Sequence, residues 1–272
     1  MIKNKTEVQG HRGNRSVYPE NTLPSFSSAI EIGADGIELD LHVTKDREIV
    51  IYHDFFLAED SSSPLISSLN LSDIKKIDCG NKVHPRFPKQ QKIPGTQIPT
   101  LDELFALIRK SKHPNAKNIR LNLEIKRSLT HPQWSLGVEE LSEKIVSKVK
   151  EWDFAPRVYY SSFDPEVLSK IHSLDPQAPL AFLFGKESIP QLQMQGPLLA
   201  VVNKIATSCH AKTLSPEYSL LTKLNFEWIQ QEGFQVVVWT VNDPQEWTRC
   251  IEIGVDGIIT DYPEELLRFL HR

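Results

Sequence analysis

Short apolar segments alternate with amphipathic helical runs along this chain, and that alternation predicts an α/β fold around a parallel sheet. Eight such strand–helix units are enough to close the sheet, so the expected architecture is a TIM (β/α)8 barrel. Two further observations sharpen this. Gly36-Ile37-Glu38-Leu39-Asp40-Leu41 and Leu121-Asn122-Leu123-Glu124-Ile125-Lys126 each alternate apolar with polar or charged residues, which marks strands with one face on a core. The rhythm breaks once, at about residues 55–99, where Ser61-Ser62-Ser63-Pro64 and Pro85-Arg86-Phe87-Pro88 occur. A gap that long inside a compact fold reads as a small insertion after the second strand, covering the functional face. The 272 residues suffice for one such barrel, so residues 1–272 are expected to form a single domain carrying that insertion.

The expected strands, in order, are Glu7–His11, Gly36–His42, Leu121–Lys126, Val158–Ser162, Leu180–Phe184, Cys209–Thr213, Val236–Thr240 and Gly257–Thr260. A short return strand, Glu48–Tyr52, follows Asp46-Arg47 back beside the second. Helical runs between them are Thr22–Ile32, Leu101–Ser111, Val138–Trp152, Pro165–Leu174, Ile189–Met194, Pro216–Gln231 and Pro244–Ile253. Asn21 or Thr22 can cap the first helix, which Gly33 ends; Asp164-Pro165 and Asp243-Pro244 open two others, the second stopping at Gly254. An open doubly wound sheet that bound a nucleotide would carry a glycine-rich turn after its first strand, and only Gly10 and Gly13 stand there.

Hydrophobic residues make up 40% and charged residues 24% of the chain, with a net charge of −4. That balance gives no electrostatic case for nucleic acid or for stable association with an anionic membrane. Lys110, Lys112, Lys117 and Arg120 read as a solvated helix end and loop. Cys79, Cys209 and Cys250 are odd in number and share no short spacing, which argues against a disulfide framework or a zinc site. Met1-Ile2-Lys3-Asn4-Lys5-Thr6 lacks the apolar run of a signal peptide, and no window approaches the roughly 18 apolar residues of a membrane span. A cytoplasmic protein is the expectation. The sequence carries no signal for an oligomeric state.

Barrel sites sit at the carboxyl ends of the strands. His11-Arg12-Gly13 ends strand one, Glu38 and Asp40 lie on strand two, Glu124 and Lys126 on strand three, and Trp239-Thr240-Val241-Asn242 ends strand seven. His53-Asp54 follows the return strand. Taken singly, each has a plain structural reading. His11-Arg12-Gly13 could be a turn, Glu38 and Asp40 a buried ion network with Arg12 or Lys126, His53 an oriented surface histidine and Trp239 core. His42, His84, His113, His131, His172, His210 and His271 are read as structural or exposed. Side by side, the two charged strands bring three carboxylates and an ammonium into one place, and buried carboxylates demand a cation or donors. Such a cluster points to metal-assisted catalysis.

In order, His11-Arg12-Gly13, Pro19-Glu20-Asn21-Thr22-Leu23, Gly33-Ala34-Asp35-Gly36-Ile37-Glu38-Leu39-Asp40, Thr44-Lys45-Asp46 and His53-Asp54 resemble the glycerophosphodiester phosphodiesterases. The resemblance runs on through Ile98-Pro99-Thr100-Leu101, Leu123-Glu124-Ile125-Lys126, Ser161-Ser162-Phe163, Trp239-Thr240-Val241-Asn242 and Gly254-Val255-Asp256-Gly257-Ile258-Ile259-Thr260-Asp261, from about residue 8 to 268. It implies a TIM-barrel enzyme that hydrolyses small-molecule glycerophosphodiesters to sn-glycerol 3-phosphate and an alcohol. By similarity Glu38, Asp40 and Glu124 would ligate one divalent cation, and His11 and His53 would be the acid–base pair. Arg12 and Lys126 would hold the phosphate, Glu20 would orient Arg12, and Phe163 and Trp239 would wall the glycerol. The chain departs from the common pattern after His53-Asp54, reading Phe55-Phe56-Leu57 where many members have Arg-Thr-Thr.

Carboxylates with no ligating cysteine suit a hard cation, Mg2+, Ca2+ or Mn2+, rather than zinc. A lysophospholipase D-like or phosphoinositide-type phosphodiesterase on the same fold would be expected to show an apolar membrane-facing loop, and Phe55-Phe56-Leu57 is the one candidate. A barrel that only binds a phosphorylated ligand would be expected to have lost one of His11, His53, Glu38, Asp40 or Glu124, and all five are present.

Overall fold

A computed structural model describes residues 6–57, 63–81, 83–188 and 197–272. Eight parallel strands close into a barrel: β1 (Glu7–His11), β2 (Gly36–Val43), β4 (Arg120–Ile125), β5 (Val158–Ser162), β6 (Leu180–Phe184), β7 (Thr213–Pro216), β8 (Gln235–Val238) and β9 (Gly257–Thr260). Closure comes from β1, which pairs in parallel with both β2 and β9. The extra strand β3 (Ile49–Ile51) runs antiparallel to β2, opposite Leu41–Val43. It turns the chain back along β2 and delivers His53 to the same end of the barrel.

Helices cover the outside: α1 (Leu23–Glu31), the single turn α2 (Leu71–Ile74), α3 (Leu101–Lys110), α4 (Val138–Glu151), α5 (Pro165–Leu174), α6 (Leu198–Ser208), α7 (Lys223–Gln231), α8 (Pro244–Ile253) and α9 (Pro263–Phe269). Val8, Ile37, Leu39, Leu121, Leu123, Phe182, Leu214 and Ile258 point outward from the strands into one continuous apolar layer beneath these helices. The opposite, inward face is largely polar, with Leu183 and Ile259 among its apolar members. Tyr159 Oη donates to Gln9 Oε1 at 2.7 Å, and Ser161 Oγ donates to Asn122 Oδ1 at 2.7 Å. These two pairs satisfy inward polar groups of the barrel, as a close-packed interior requires.

Residues between β3 and α3 build a small core of their own from Val50, Ile66, Ile74 and Ile98. Gln90 ties this segment to the β1–α1 loop, donating to the Arg15 and Tyr18 carbonyls at 2.8 and 3.1 Å.

The expected strand Cys209–Thr213 is displaced: Cys209 caps α6 and β7 runs over Thr213–Pro216. Thr213 and Ser215 face the polar interior, leaving Leu214 as the strand's one outward aliphatic, so the apolar alternation that marks a strand is almost absent. The helix expected from Pro216 begins at Lys223, after Thr222 and Asn225 form a reciprocal capping box. Helices α2, α6 and α9 add to the expected set, whereas the expected run Ile189–Met194 lies outside the described residues. No helix among the described residues is long and apolar enough to cross a membrane.

Candidate active site

Strand register assembles the site. β2 and β4 pair with Asp40 opposite Glu124, and β1 and β2 pair with His11 opposite Glu38. Because alternate residues share a face, Glu38 and Asp40 both point inward, and oxygens of Glu38, Asp40 and Glu124 lie within 4.8 Å of one another.

The β1–α1 turn fits closely around them. Arg12 (φ 55°) and Gly13 (φ 89°) both lie in the left-handed region. A Cβ at Gly13 would fall 2.3 Å from Ser25 Oγ, so only glycine fits there. The turn aims the Arg12 backbone N–H at Glu38 Oε2, 3.1 Å away. The Arg12 side chain lies across the cluster, Nη1 2.7 Å from Glu20 Oε1 and Nε 3.2 Å from Asp40 Oδ2. Lys126 Nζ approaches from β4, 2.8 Å from Glu124 Oε1 and 3.5 Å from Asp40 Oδ1.

These contacts divide the carboxylates electrostatically. Burial would raise the Asp40 pKa, but Arg12, His53 and Lys126 outweigh it and hold that carboxyl well below the usual carboxylate range. Glu38 goes the other way: burial, then repulsion from Asp40 and Glu124, push it well above its ordinary value. Its Oε1 is buried and has no hydrogen-bond partner among the described residues. An ion network would satisfy all three carboxylates internally. This one leaves an oxygen of the central ligand candidate bare, which is what a hard divalent cation bound by oxygen ligands would complete.

His11 is fixed from behind. Its Nδ1 lies 2.6 Å from Asp261 Oδ1, and Asn242 Nδ2 donates to Asp261 Oδ2 at 2.7 Å. Asp261 is held below the carboxylate range, its burial being outweighed by His11 and Arg15. With a carboxylate on Nδ1, the ring carries that proton and presents Nε2, which lies 3.9 Å from Glu38 Oε2. Burial lowers the His11 pKa below its ordinary 6.5, Arg12 and Arg15 adding to that against Asp261. His53 is more open, its side chain 36% exposed, with Nδ1 2.7 Å from Asp54 Oδ1.

Two clefts meet at His11, Arg12, His53 and Thr240. One, of about 510 Å3, is walled by Phe163 and Trp239, whose rings meet edge to face at 5.6 Å. The other, of about 840 Å3, opens under the 55–99 segment, past Tyr52, Asp54, His84 and Arg86. Eight of the ten expected site residues line the first cleft, Glu20 lines the second, and Asp40 lines neither.

A sequence model of the glycerophosphoryl diester phosphodiesterase family matches residues 11–265. The chain belongs to this family. A glycerophosphodiester phosphodiesterase of Caldanaerobacter subterraneus subsp. tengcongensis is 33% identical over 270 residues, covering 98% of this chain and 99% of that protein. A human lysophospholipase D is 26% identical over 288 residues, covering 96% of this chain and 85% of that protein. The crystal structure of a glycerophosphodiester phosphodiesterase from Parabacteroides distasonis ATCC 8503 superposes with a TM-score of 0.74 at 27% identity, covering 98% of this chain and 97% of that one.

Several residues around this family's shared motifs escaped the sequence reading of their roles. Asn21 is not the cap of α1; Thr22 is, and Asn21 (φ 54°) instead donates to Asp40 Oδ2 at 2.8 Å. Arg15 bridges Glu20 and Asp261. His42 continues the inward face of Glu38 and Asp40 by the same period of two, and is 2% exposed. Burial and Lys126 lower its pKa to about 4. The neutral ring donates through Nε2 to the His53 carbonyl at 3.3 Å, fixing the backbone beside His53.

Proposed function

We propose that this phosphodiesterase hydrolyses glycerophosphodiesters to sn-glycerol 3-phosphate and an alcohol, using one divalent cation, Mg2+, Ca2+ or Mn2+, held by Glu38, Asp40 and Glu124. The observation that carries the reading is the bare Glu38 oxygen among three carboxylates, beside two histidines on one barrel mouth. When bound, such a cation supplies Lewis-acid polarisation of a phosphoryl oxygen. Every other task falls to side chains. Arg12 and Lys126 flank the cluster and neutralise the non-bridging oxygens, Arg12 as a planar fork and Lys126 as a point charge. Burial would lower the Lys126 pKa, but Glu124 and Asp40 outweigh it and keep the group charged. Glu20 holds Arg12 in place.

His11, neutral and with Nε2 free to accept, removes the proton from the attacking hydroxyl. His53, oriented by Asp54 at the junction of the clefts, gives a proton to the leaving alkoxide. Each transfer contributes about 10²–10⁴-fold. The Phe163–Trp239 side takes the glycerol unit, and the leaving alcohol occupies the cleft under the 55–99 insertion. Residues 1–272 act as a single catalytic domain. Three unpaired cysteines, two of them buried, suit a reducing cytoplasm.

Glycerophosphocholine assayed against lysophosphatidylcholine, after chelation and with each cation restored, tests this function. Turnover of glycerophosphocholine is expected to dominate, and a clear preference for the lysolipid would overturn the substrate assignment. Phe55 and Phe56, the apolar loop on which a lysophospholipase D reading would rest, pack on Trp134 with centroids 5.6 and 5.0 Å from the indole.

Arg12→Lys tests the phosphate fork. It keeps the charge but loses the paired donors, and charged hydrogen bonds are worth enough that kcat/KM should fall by about tenfold or more. A wild-type value for this variant would reduce Arg12 to a structural partner of Glu20.

A further inference from the structure

The smaller cleft continues past Trp239 to a rim that the reaction described above leaves without a task, formed by Gly185, Lys186 and Glu217. Glu217 follows β7 directly and bridges to Trp239 in the parallel sense. Its carboxylate is held from three sides. The Lys186 backbone N–H donates to Oε2 at 3.0 Å, Ser219 Oγ donates to Oε1 at 2.8 Å, and Lys186 Nζ lies 3.0 Å from Oε1. Burial opposes ionisation, but these donors outweigh it and keep the carboxyl below its ordinary pKa.

An ionised carboxylate offers about four acceptor positions, two on each oxygen. Among the described residues Oε1 has both filled and Oε2 has one, which leaves Oε2 to accept a further hydrogen bond. That oxygen sits at the aromatic wall. A Cβ on Gly185 would lie 3.0 Å from Trp239 Cη2 and 3.4 Å from Glu217 Oε2, so indole edge and carboxylate converge over a residue with little room for a side chain. The ring cannot swing away freely, because its Nε1 donates to the Ser215 carbonyl at 2.8 Å. An apolar plate next to one open anionic acceptor is the arrangement a small polyol needs. Its CH surface lies on the plate and its far hydroxyl reaches the acceptor.

We propose that Glu217 is the specificity residue for the glycerol unit: Oε2 accepts the terminal hydroxyl, and the Lys186–Glu217 pair closes the cleft to glycerol acylated at that position. An ester oxygen has no proton to give, so an acylated substrate would set its lone pairs against the carboxylate while losing the hydrogen bond. This inference rests on the reading that the Phe163–Trp239 side holds the glycerol unit.

The test compares kcat/KM for three phosphocholine diesters: of glycerol, of propane-1,2-diol (which keeps the 2-hydroxyl but lacks the terminal one), and lysophosphatidylcholine. Wild type is expected to prefer the glycerol diester over the propanediol diester by roughly 10- to 100-fold, the range for a hydrogen bond to a charged group. Glu217→Gln should reduce that ratio by about tenfold, because a neutral amide replaces the charged acceptor. Glu217→Ala should nearly abolish it, with the melting temperature reporting whether the rim stays folded. A wild type indifferent to the terminal hydroxyl, or one that prefers the lysolipid, overturns the assignment whatever the variants do. A ratio unchanged in Glu217→Gln overturns it while leaving the hydrolase reading intact. Failure to turn over any of the three esters removes both.

Discussion

Glu38→Gln is expected to fold and yet to lose turnover by well over 100-fold, a loss beyond the 10- to 100-fold typical of residues that only support metal ligands. The reason lies in the electrostatics of the cluster. Three carboxylates with oxygens no more than 4.8 Å apart repel one another, by roughly 3–4 kcal/mol for each ionised pair at an effective dielectric near 20. Arg12 and Lys126 relieve Asp40 and Glu124, but among the described residues Glu38 receives one backbone N–H on Oε2 and no hydrogen bond on Oε1. Two opposite consequences follow from removing its charge. Without a divalent cation the variant should be at least as stable as wild type, since the repulsion has gone. With the cation, wild type alone should gain, by about 2.7 kcal/mol at a concentration 100 times Kd, several degrees in melting temperature for a chain of this size. Thermal melts of both proteins in chelator and in excess Mg2+, Ca2+ or Mn2+ read this directly, independently of activity. Asp40→Ala and Glu124→Ala should lose turnover too, but they strip partners from Arg12 and Lys126 and are less clean. Full activity in excess chelator, or a cation-induced stabilisation that survives in Glu38→Gln, would end the metal assignment.

The same cluster marks where the sequence could be read and where it could not. On β2 and β4 the alternation is unbroken, so inward placement of Glu38, Asp40 and Glu124 follows from a period of two alone. His42, read as structural or exposed, is within reach of that same argument, two residues beyond Asp40, though period alone does not give its bond to the His53 carbonyl. Asp261 is different in kind. It lies 250 residues from His11, and the contact exists only because β9 closes onto β1. Local periodicity says which face a residue occupies, not which distant strand end it meets. Asn21 illustrates a third limit. As an expected helix cap it had an ordinary explanation, and one positive φ turns its side chain to Asp40 instead. β7 failed as a strand reading for the same physical reason that the site exists: inward positions of this barrel are largely polar, and Thr-Leu-Ser-Pro leaves one outward aliphatic to betray it.

His11→Ala and His53→Ala are both expected to be severely impaired, each by about 10²–10⁴-fold, but for opposite reasons that a change of leaving group separates. His11 is largely enclosed, its side chain 15% exposed, and tied to Asp261, and burial lowers its pKa below the ordinary 6.5. A base acts only when deprotonated, so activity should rise with pH through the His11 pKa, placing an acidic limb below about pH 6.5. His53 stands more exposed at the junction of the two clefts, on the side where the insertion would cover a departing alcohol. An acid acts only when protonated and a base only when not, so the wild-type profile of kcat/KM should be bell-shaped. His53→Ala should therefore lose the alkaline limb, and His11→Ala the acidic one. Choline and ethanolamine leave as strongly basic alkoxides that need the proton, whereas nitrophenolate departs without it. With glycerol 3-(4-nitrophenyl phosphate) as substrate, His53→Ala should recover most of its lost rate and His11→Ala little. The reverse pattern would exchange the two roles. Rescue of neither variant would mean that protonating the leaving group is the task of neither ring.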